Sequence, residues 1–230
     1  MDNWPTRIHG AARRADVETL RRLLDQGVSP DTVDGTNYRI TPLFVLCSNN
    51  EGAMDDRVAC FKLLRDAGAN LEATTGQDGI TVLHYAAQGY PRILSLLVEA
   101  GVNVNVANSG NYTPLHWAAR GSDTSYFDCV ELLLKAGAAW NVIADGTTPF
   151  SIALHCRHRR LWPLFLRAGA EIPPGHYHPY LVRVQRAGGY RKYAQNHLAA
   201  MTKLFTANGR RVPPEVVRHI MKYWLHLGYY

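Results

Sequence analysis

Ten histidines and four cysteines are the side chains most able to do chemistry here. His155-Cys156-Arg157-His158, followed by His176 and His178, offers a cluster of ligand atoms. A zinc site needs ligands in closely paired spacings, and these lack them and are interleaved with Arg157, Arg159 and Arg160; no metal is assigned. Cys47, Cys60, Cys129 and Cys156 are scattered, with no CxxC pair, and read as reduced, mostly buried thiols. There is no glycine-rich phosphate loop, no nucleophile elbow and no carboxylate pair at a plausible spacing. Catalysis is not indicated, and no cofactor is expected. His84 and His116 stand apart because each occurs at the same place in a recurring tetrapeptide.

That tetrapeptide belongs to a unit written five times. Thr41-Pro42-Leu43, Thr81-Val82-Leu83-His84, Thr113-Pro114-Leu115-His116 and Thr148-Pro149-Phe150 open four copies, and Arg7-Ile8-His9-Gly10-Ala11-Ala12 is a worn first one. A glycine closes each copy's second apolar segment: Gly27, Gly68, Gly101, Gly137 and Gly169. The separations from the leucine-equivalent to that glycine are 19, 25, 18, 22 and 19 residues. The excess in copies two and four falls near Ser48 to Asp56 and Ser122 to Phe127, where a longer surface loop would leave the helical faces in register.

The physics of the unit predicts a helix pair. Thr caps a helix and Pro suits its first position, so Thr113-Pro114 starts a helix with Leu115, Ala118 and Ala119 on its inner stripe. A second helix carries Val130, Leu133 and Leu134 inward, and Gly137 supplies its left-handed cap. Turn sequences at Asn108-Ser109-Gly110-Asn111 and Asp145-Gly146 suit a hairpin between copies. One pair cannot bury its own apolar face; five stacked pairs can.

These units resemble ankyrin repeats over about residues 5–172. The resemblance implies an all-α ankyrin-repeat solenoid, helix-turn-helix units with β-hairpin loops, closed by a C-terminal helical cap. Its repeats fall at about 5–37, 38–77, 78–109, 110–144 and 145–174, giving an ankyrin-repeat domain over 5–175 and a basic helical tail over 176–230. It also implies that His84 and His116 are structural, bonding within and between repeats. Phe44 and Ser151 replace that histidine in copies two and five, and Glu171-Ile172-Pro173-Pro174 ends the array.

Charge divides the chain. Residues 1–150 hold 12 Lys and Arg against 17 Asp and Glu, a net of −5, while residues 151–230 hold 13 against 2, a net of +11. A solvated face, an acidic partner or a nucleic acid would each suit such a tail. Arg157, Arg159, Arg160, Arg183, Arg186, Arg191, Lys192, Arg210 and Arg211 are interleaved with Tyr177, Tyr180, Tyr190 and Tyr193, a composition compatible with single-stranded nucleic acid. No apolar run approaches the ~20 residues of a membrane span, and Met1-Asp2-Asn3-Trp4-Pro5 lacks a signal peptide's apolar centre. The expected address is the cytoplasm or the nucleus, and the expected state a monomer.

Within the tail, His176 to Arg186 reads as a short helix stopped by Gly188-Gly189, and Tyr190 to Thr206 as an amphipathic helix. A third helix opens at Val212-Pro213-Pro214-Glu215. Val212 to Trp224 resembles the F-box-like, PRANC-type helices that end some ankyrin proteins and recruit a cullin-type ubiquitin ligase. By that resemblance Pro214, Val217, Ile220, Met221 and Trp224 would form a recruitment helix.

The ankyrin resemblance places partner contacts at hairpin tips and along the first helices. Transferred by motif, these are Tyr38, Ile40, Asp78, Ile80, Asn111 and Tyr112 at the hairpins, and Gln88 and Arg120 after the paired alanines. Tyr85 and Trp117 lie beside them, either as aromatic anchors or as packing between stacked helices. Asn105 and Asn141 match the hairpin asparagine that is hydroxylated in some ankyrin proteins. The sequence therefore reads as a non-catalytic scaffold for a protein partner of unknown identity. A ubiquitin-ligase adaptor is the second reading, and a nucleic-acid-associated scaffold, resting on charge alone, the third.

Overall fold

The computed structural model describes residues 7–48 and 51–207, together with residues 213, 215, 216 and 219. Five helix pairs follow one another: α1 (Arg7–Arg14) with α2 (Val17–Asp25), α3 (Pro42–Ser48) with α4 (Met54–Asp66), α5 (Val82–Ala86) with α6 (Pro91–Glu99), α7 (Pro114–Ala118) with α8 (Thr124–Lys135), and α9 (Pro149–His155) with α10 (Trp162–Arg167). Two tail helices follow, α11 (Pro179–Arg186) and α12 (Tyr190–Ala207).

The threonines start helices as their chemistry requires. Thr113 Oγ1 and the Nδ1 of His116 face each other at 2.9 Å, and the Thr113 N–H donates to that same Nδ1 at 3.0 Å. Thr148 accepts from the N–H of Ser151 at 3.2 Å, and Thr41 from that of Phe44 at 3.3 Å. At the other end of α8, Gly137 takes φ +86°, and the Ala138 N–H reaches back to the Leu133 carbonyl at 2.9 Å. A residue with a Cβ would resist that left-handed turn.

Each first helix packs on the next, α1 on α3, α3 on α5, α5 on α7 and α7 on α9, and the second helices form a parallel row of the same kind. The repeats thus share one continuous core. Ala11, Ala12, Ala86, Ala87, Ala118 and Ala119 are wholly buried, and their small side chains let neighbouring first helices approach closely. Val130 and Leu133 are buried as their spacing predicts, whereas Leu134 is half-buried against the core edge. Between repeats the chain makes short hairpins. β1 (Thr74–Thr75) pairs antiparallel with β2 (Ile80–Thr81), Thr74 opposite Thr81. Ala144 and Thr147 form a single bridge around Asp145 and Gly146, both at positive φ, the geometry of a tight twisted hairpin.

The extra residues of copies two and four do not simply lengthen a surface loop. α4 and α8 run 13 and 12 residues against 9 in α6, so much of the insertion is an added N-terminal turn of helix. Growth at the free start of a helix leaves the buried face downstream unrotated. In α8 the added turn is capped by Asp123, which accepts from the Tyr126 N–H at 3.1 Å. Tyr126 lies over Gly121 so closely that a Cβ there would overlap its ring.

The tail covers the end of the array. Trp162 of α10 stacks on Tyr180 of α11 at 6.5 Å between centroids, Tyr180 meets Tyr193 of α12 edge-on at 5.7 Å, and all three are buried. Gly188 and Gly189, at φ +79° and +106°, turn the chain from α11 into α12. In the segment of the expected third tail helix Glu215, Val216 and His219 are helical, while Pro214, Val217, Ile220, Met221 and Trp224 lie outside the described residues.

Candidate protein-binding surface

Two devices align the hairpin side of the array. One is a polar latch. His84 sits at the third position of α5, where its Nδ1 accepts the Thr81 N–H at 3.2 Å. An accepting Nδ1 fixes the tautomer, so Nε2 carries the proton and donates to the Tyr112 carbonyl of the next repeat at 2.9 Å. Burial pushes the His84 pKa below its usual value, the Tyr112 carbonyl opposing the shift. His9 makes the corresponding bond from Nε2 to the Ile40 carbonyl at 2.9 Å. His116 repeats the inner half of the latch, but its buried Nε2 faces the Thr147 and Val142 backbone without reaching good hydrogen-bond geometry; burial lowers its pKa too, and weak bonding to that backbone opposes the shift.

The other device is a row of shared backbone bonds along the outer end of the second helices. The side chain four residues after each closing glycine accepts the N–H two residues after the next one. Asp31 takes the Asn70 N–H at 2.9 Å, Glu72 that of Asn103 at 2.9 Å, and Asn105 that of Ala139 at 2.7 Å. Asn105 also donates to the Gly137 carbonyl at 3.4 Å. Its amide is exposed yet engaged in inter-repeat structure, and Asn141, at the same register in the next repeat, is exposed.

The hairpin tips form a connected ridge. The Gly76 N–H donates to the Tyr38 carbonyl at 2.7 Å, the Ser109 N–H to the Asp78 carbonyl at 2.9 Å, and Asn111 Nδ2 to the Ile143 carbonyl at 2.6 Å. Tyr38 and Ile143 stand 61% and 60% exposed on it. Asp78 and Asn111 are exposed as well, while Ile40 and Ile80 turn partly inward onto the core. Tyr112 donates its hydroxyl to Asp145 at 2.8 Å, and that bond raises its phenol pKa.

Beside the ridge runs an aromatic row. Phe44 meets Tyr85 edge-on at 4.7 Å, Tyr85 meets Trp117 at 5.5 Å, and His84 meets Trp117 at 5.4 Å. Tyr85 and Trp117 thus pack between repeats and keep a half-exposed face. Phe44, in place of a latch histidine, contributes a ring to this row. Gln88 and Arg120 are exposed at the ends of the first helices, the Arg120 guanidinium 5.9 Å from the centre of the Tyr112 ring.

The structure brings Asn111, Tyr112, Trp117 and Arg120 into one neighbourhood around repeat four, joined to Tyr85, and sets Tyr38, Asp78 and Ile80 along the adjoining ridge. Sequence reasoning missed Ile143, Asp145 and His9. His9 was legible from the register of its copy, since it follows Ile8 as His84 follows Leu83. Ile143 and Asp145 carry no signal until the bonds from Asn111 and Tyr112 point to them.

The reactive side chains have structural places. Cys47, Cys60 and Cys129 are buried, and burial pushes each thiol up to about 12, while Cys156 is exposed. His158 Nδ1 contacts the Ala119 carbonyl at 3.2 Å, and His178 caps α11 and packs edge-on against Trp162 at 4.9 Å. Among the described residues no three His, Cys, Asp or Glu side chains converge as a metal site, and no helix is long and apolar enough to cross a membrane.

Comparison with known proteins agrees with this architecture. A profile described as ankyrin repeats in three copies matches residues 8–108 and, overlapping, 52–144. The E3 ubiquitin-protein ligase KEG of Arabidopsis thaliana is 40% identical over 95 residues, covering 40% of this chain and 6% of that protein. Ankyrin repeat and SOCS box protein 3 of Bos taurus is 33% identical over 108 residues, covering 46% and 19%. A fowlpox virus protein named as an ankyrin repeat protein, FPV031, is 26% identical over 162 residues, covering 68% and 45%. The chain therefore spans less than half of each of these relatives. With the profile covering more than half its length and the helix pairs stacked as such repeats require, this chain belongs to the ankyrin-repeat family.

Proposed function

We propose that the protein is a non-catalytic scaffold that holds a protein partner on the hairpin ridge and aromatic row of repeats two to four. Ankyrin repeats are protein-interaction modules, and one observation supports this placement. Tyr38, Asp78, Asn111 and Ile143 project from a ridge whose backbone is already fixed by tip-to-tip bonds, and Gln88 and Arg120 stand at the ends of the first helices beside it. A preorganised surface binds without the cost of ordering loops. Its half-exposed rings, Tyr85, Trp117 and Tyr112, are of the types that most often dominate interface energies.

Tyr38→Ser, Gln88→Glu and Arg120→Glu, combined in the full chain, test the surface without touching the core. Quantitative affinity purification should show a stoichiometric partner lost from the triple variant at unchanged thermal stability. Unchanged recovery of every partner would place binding elsewhere.

The relatives' names favour a second reading, that of a substrate-recognition adaptor for a ubiquitin ligase, since one is named a ubiquitin-protein ligase and another a SOCS box protein. In that reading the array holds the target and the Val212 to Trp224 segment recruits the ligase. Ligase components recovered with the full chain and absent from a chain ending at Gly175 would support it; their absence from both would remove it.

A further inference from the structure

At the opposite end of the helices from the hairpin tips, the turn joining α9 to α10 meets the turn joining α7 to α8. Between them lies a cleft of about 260 Å³. Its floor includes Leu161 and Phe127, and its rim carries Arg157, Arg159 and Arg160. Three features make it more than a gap between loops. Its walls are fixed: Asp123 caps α8, Tyr126 wedges against Gly121, and the His158 Nδ1 contact with the Ala119 carbonyl ties one turn to the other. Among the described residues none of the three guanidinium groups meets a carboxylate. Arg160 lies with its guanidinium 5.6 Å from the centre of the Phe127 ring and its Nε buried without a hydrogen-bond partner.

Arg157 and Arg159 are exposed, and Arg157 holds φ +56°, a left-handed conformation that an arginine seldom adopts. Asp123 also lines the cleft, but its carboxylate is engaged with the Tyr126 N–H. From residue 151 to residue 207 the chain carries one acidic side chain, Glu171, against nine Lys and Arg. An arginine fork prefers a carboxylate or phosphate as partner. The apolar floor decides between occupants: a bare phosphate or a nucleic-acid backbone would leave Leu161 and Phe127 unused, whereas a peptide can fill it with one side chain.

We propose that this cleft is a second binding site, separate from the hairpin ridge, for an acidic peptide segment of a partner protein. An apolar side chain of the peptide enters over Phe127 and Leu161, and flanking Asp or Glu carboxylates meet Arg157, Arg159 and Arg160. Because the site shares no residue with the ridge, it stands or falls independently of the function proposed there.

The test uses the full chain and a fluorescein-labelled Gly-Glu-Asp-Leu-Glu-Glu-Gly peptide, read by fluorescence anisotropy. Saturable binding is expected. Arg157→Gly combined with Arg159→Gln should weaken it about tenfold or more, since loss of charge-assisted bonds from both arginines removes more than about 1.4 kcal/mol. Glycine keeps the left-handed backbone of position 157 without strain, so the thermal midpoint should not fall. Replacing the peptide's leucine by serine should weaken binding to a similar degree. Arg21→Gln with Arg22→Gln, exposed on α2 at the other end of the array, should leave it unchanged. The proposal is overturned by absence of binding, by equal affinity for the serine peptide, by equal loss in the Arg21 and Arg22 variant, or by displacement of the peptide by oligo-dT at matched charge.

Discussion

Repeats three and four share a buried apolar core and add a directional polar latch between them, whereas repeat five is joined to the tail by aromatic rings. At the junction of repeats three and four, one imidazole reads two backbone groups at fixed distances: Thr81 behind it and Tyr112 ahead of it. In repeat five Ser151 takes the histidine's place and reaches only Thr148, at 2.9 Å. Cohesion passes instead to Phe150 stacked on Phe165 at 5.4 Å and to the column Trp162, Tyr180 and Tyr193. A directional latch sets the register of one repeat on the next and can be copied along an array. A ring column buries more area with less directional demand, which suits the point where the array ends and an unlike element must dock.

The difference can be broken at its aromatic side most forcibly. Trp162→Ala removes a buried ring and its bond to the Ala153 carbonyl at 3.1 Å. It should cost about 3–5 kcal/mol, read by chemical denaturation, with loss of hydrogen-exchange protection in α11 and α12 before the repeats. Simultaneous loss across all repeats would mean that tail and array form one cooperative unit.

At the polar side, His84→Ala leaves the Thr81 N–H and the Tyr112 carbonyl without their partner and should cost about 2–4 kcal/mol. His116→Ala, whose Nε2 has only poorly aligned contact with the next repeat's backbone, should cost less by about 1 kcal/mol. Equal costs for the two would show that the inter-repeat bond contributes nothing beyond packing.

The latch also sharpens under acid. His84 and His116 both have pKa values lowered from 6.5, chiefly by burial. The unfolded chain therefore takes up protons that the folded chain refuses, and stability present above pH 6.5 is lost as pH falls through the folded values. The double variant His84→Ala, His116→Ala should show a shallower decline between pH 7 and pH 5 than the wild type, measured by denaturant midpoint. The smallest effect belongs to the exposed Arg92 and Asp55 pair at 2.6 Å. Asp55→Ala should change stability by less than about 1 kcal/mol.

Much of the fold was legible because it is written in caps and terminators. Thr-Pro at Thr113 and the glycine at Gly137 state where helices begin and end, and an opening threonine in four copies with a closing glycine in five implies stacking. The histidine positions were legible once register was known. The added turns of α4 and α8 were not, because polar insertions such as Ser122 to Phe127 suit either a loop or a solvated first turn, and only the Asp123 cap and the fit of Tyr126 on Gly121 decide. The ridge was half legible: Tyr112 and Arg120 declare themselves by type and place. Ile143 and Asp145 belong to it through bonds between segments about thirty residues apart, and no local pattern encodes those.

On the proposed function, holding the array together and holding a partner fall to different residues. The most direct test of that division measures thermal midpoint and partner recovery side by side for the Tyr38→Ser, Gln88→Glu, Arg120→Glu variant and for His84→Ala. The account predicts that the first keeps the wild-type midpoint and loses the partner, while the second melts earlier and still recovers the partner below its midpoint. A triple variant that retains every partner, or one that loses stability in step with binding, would contradict it.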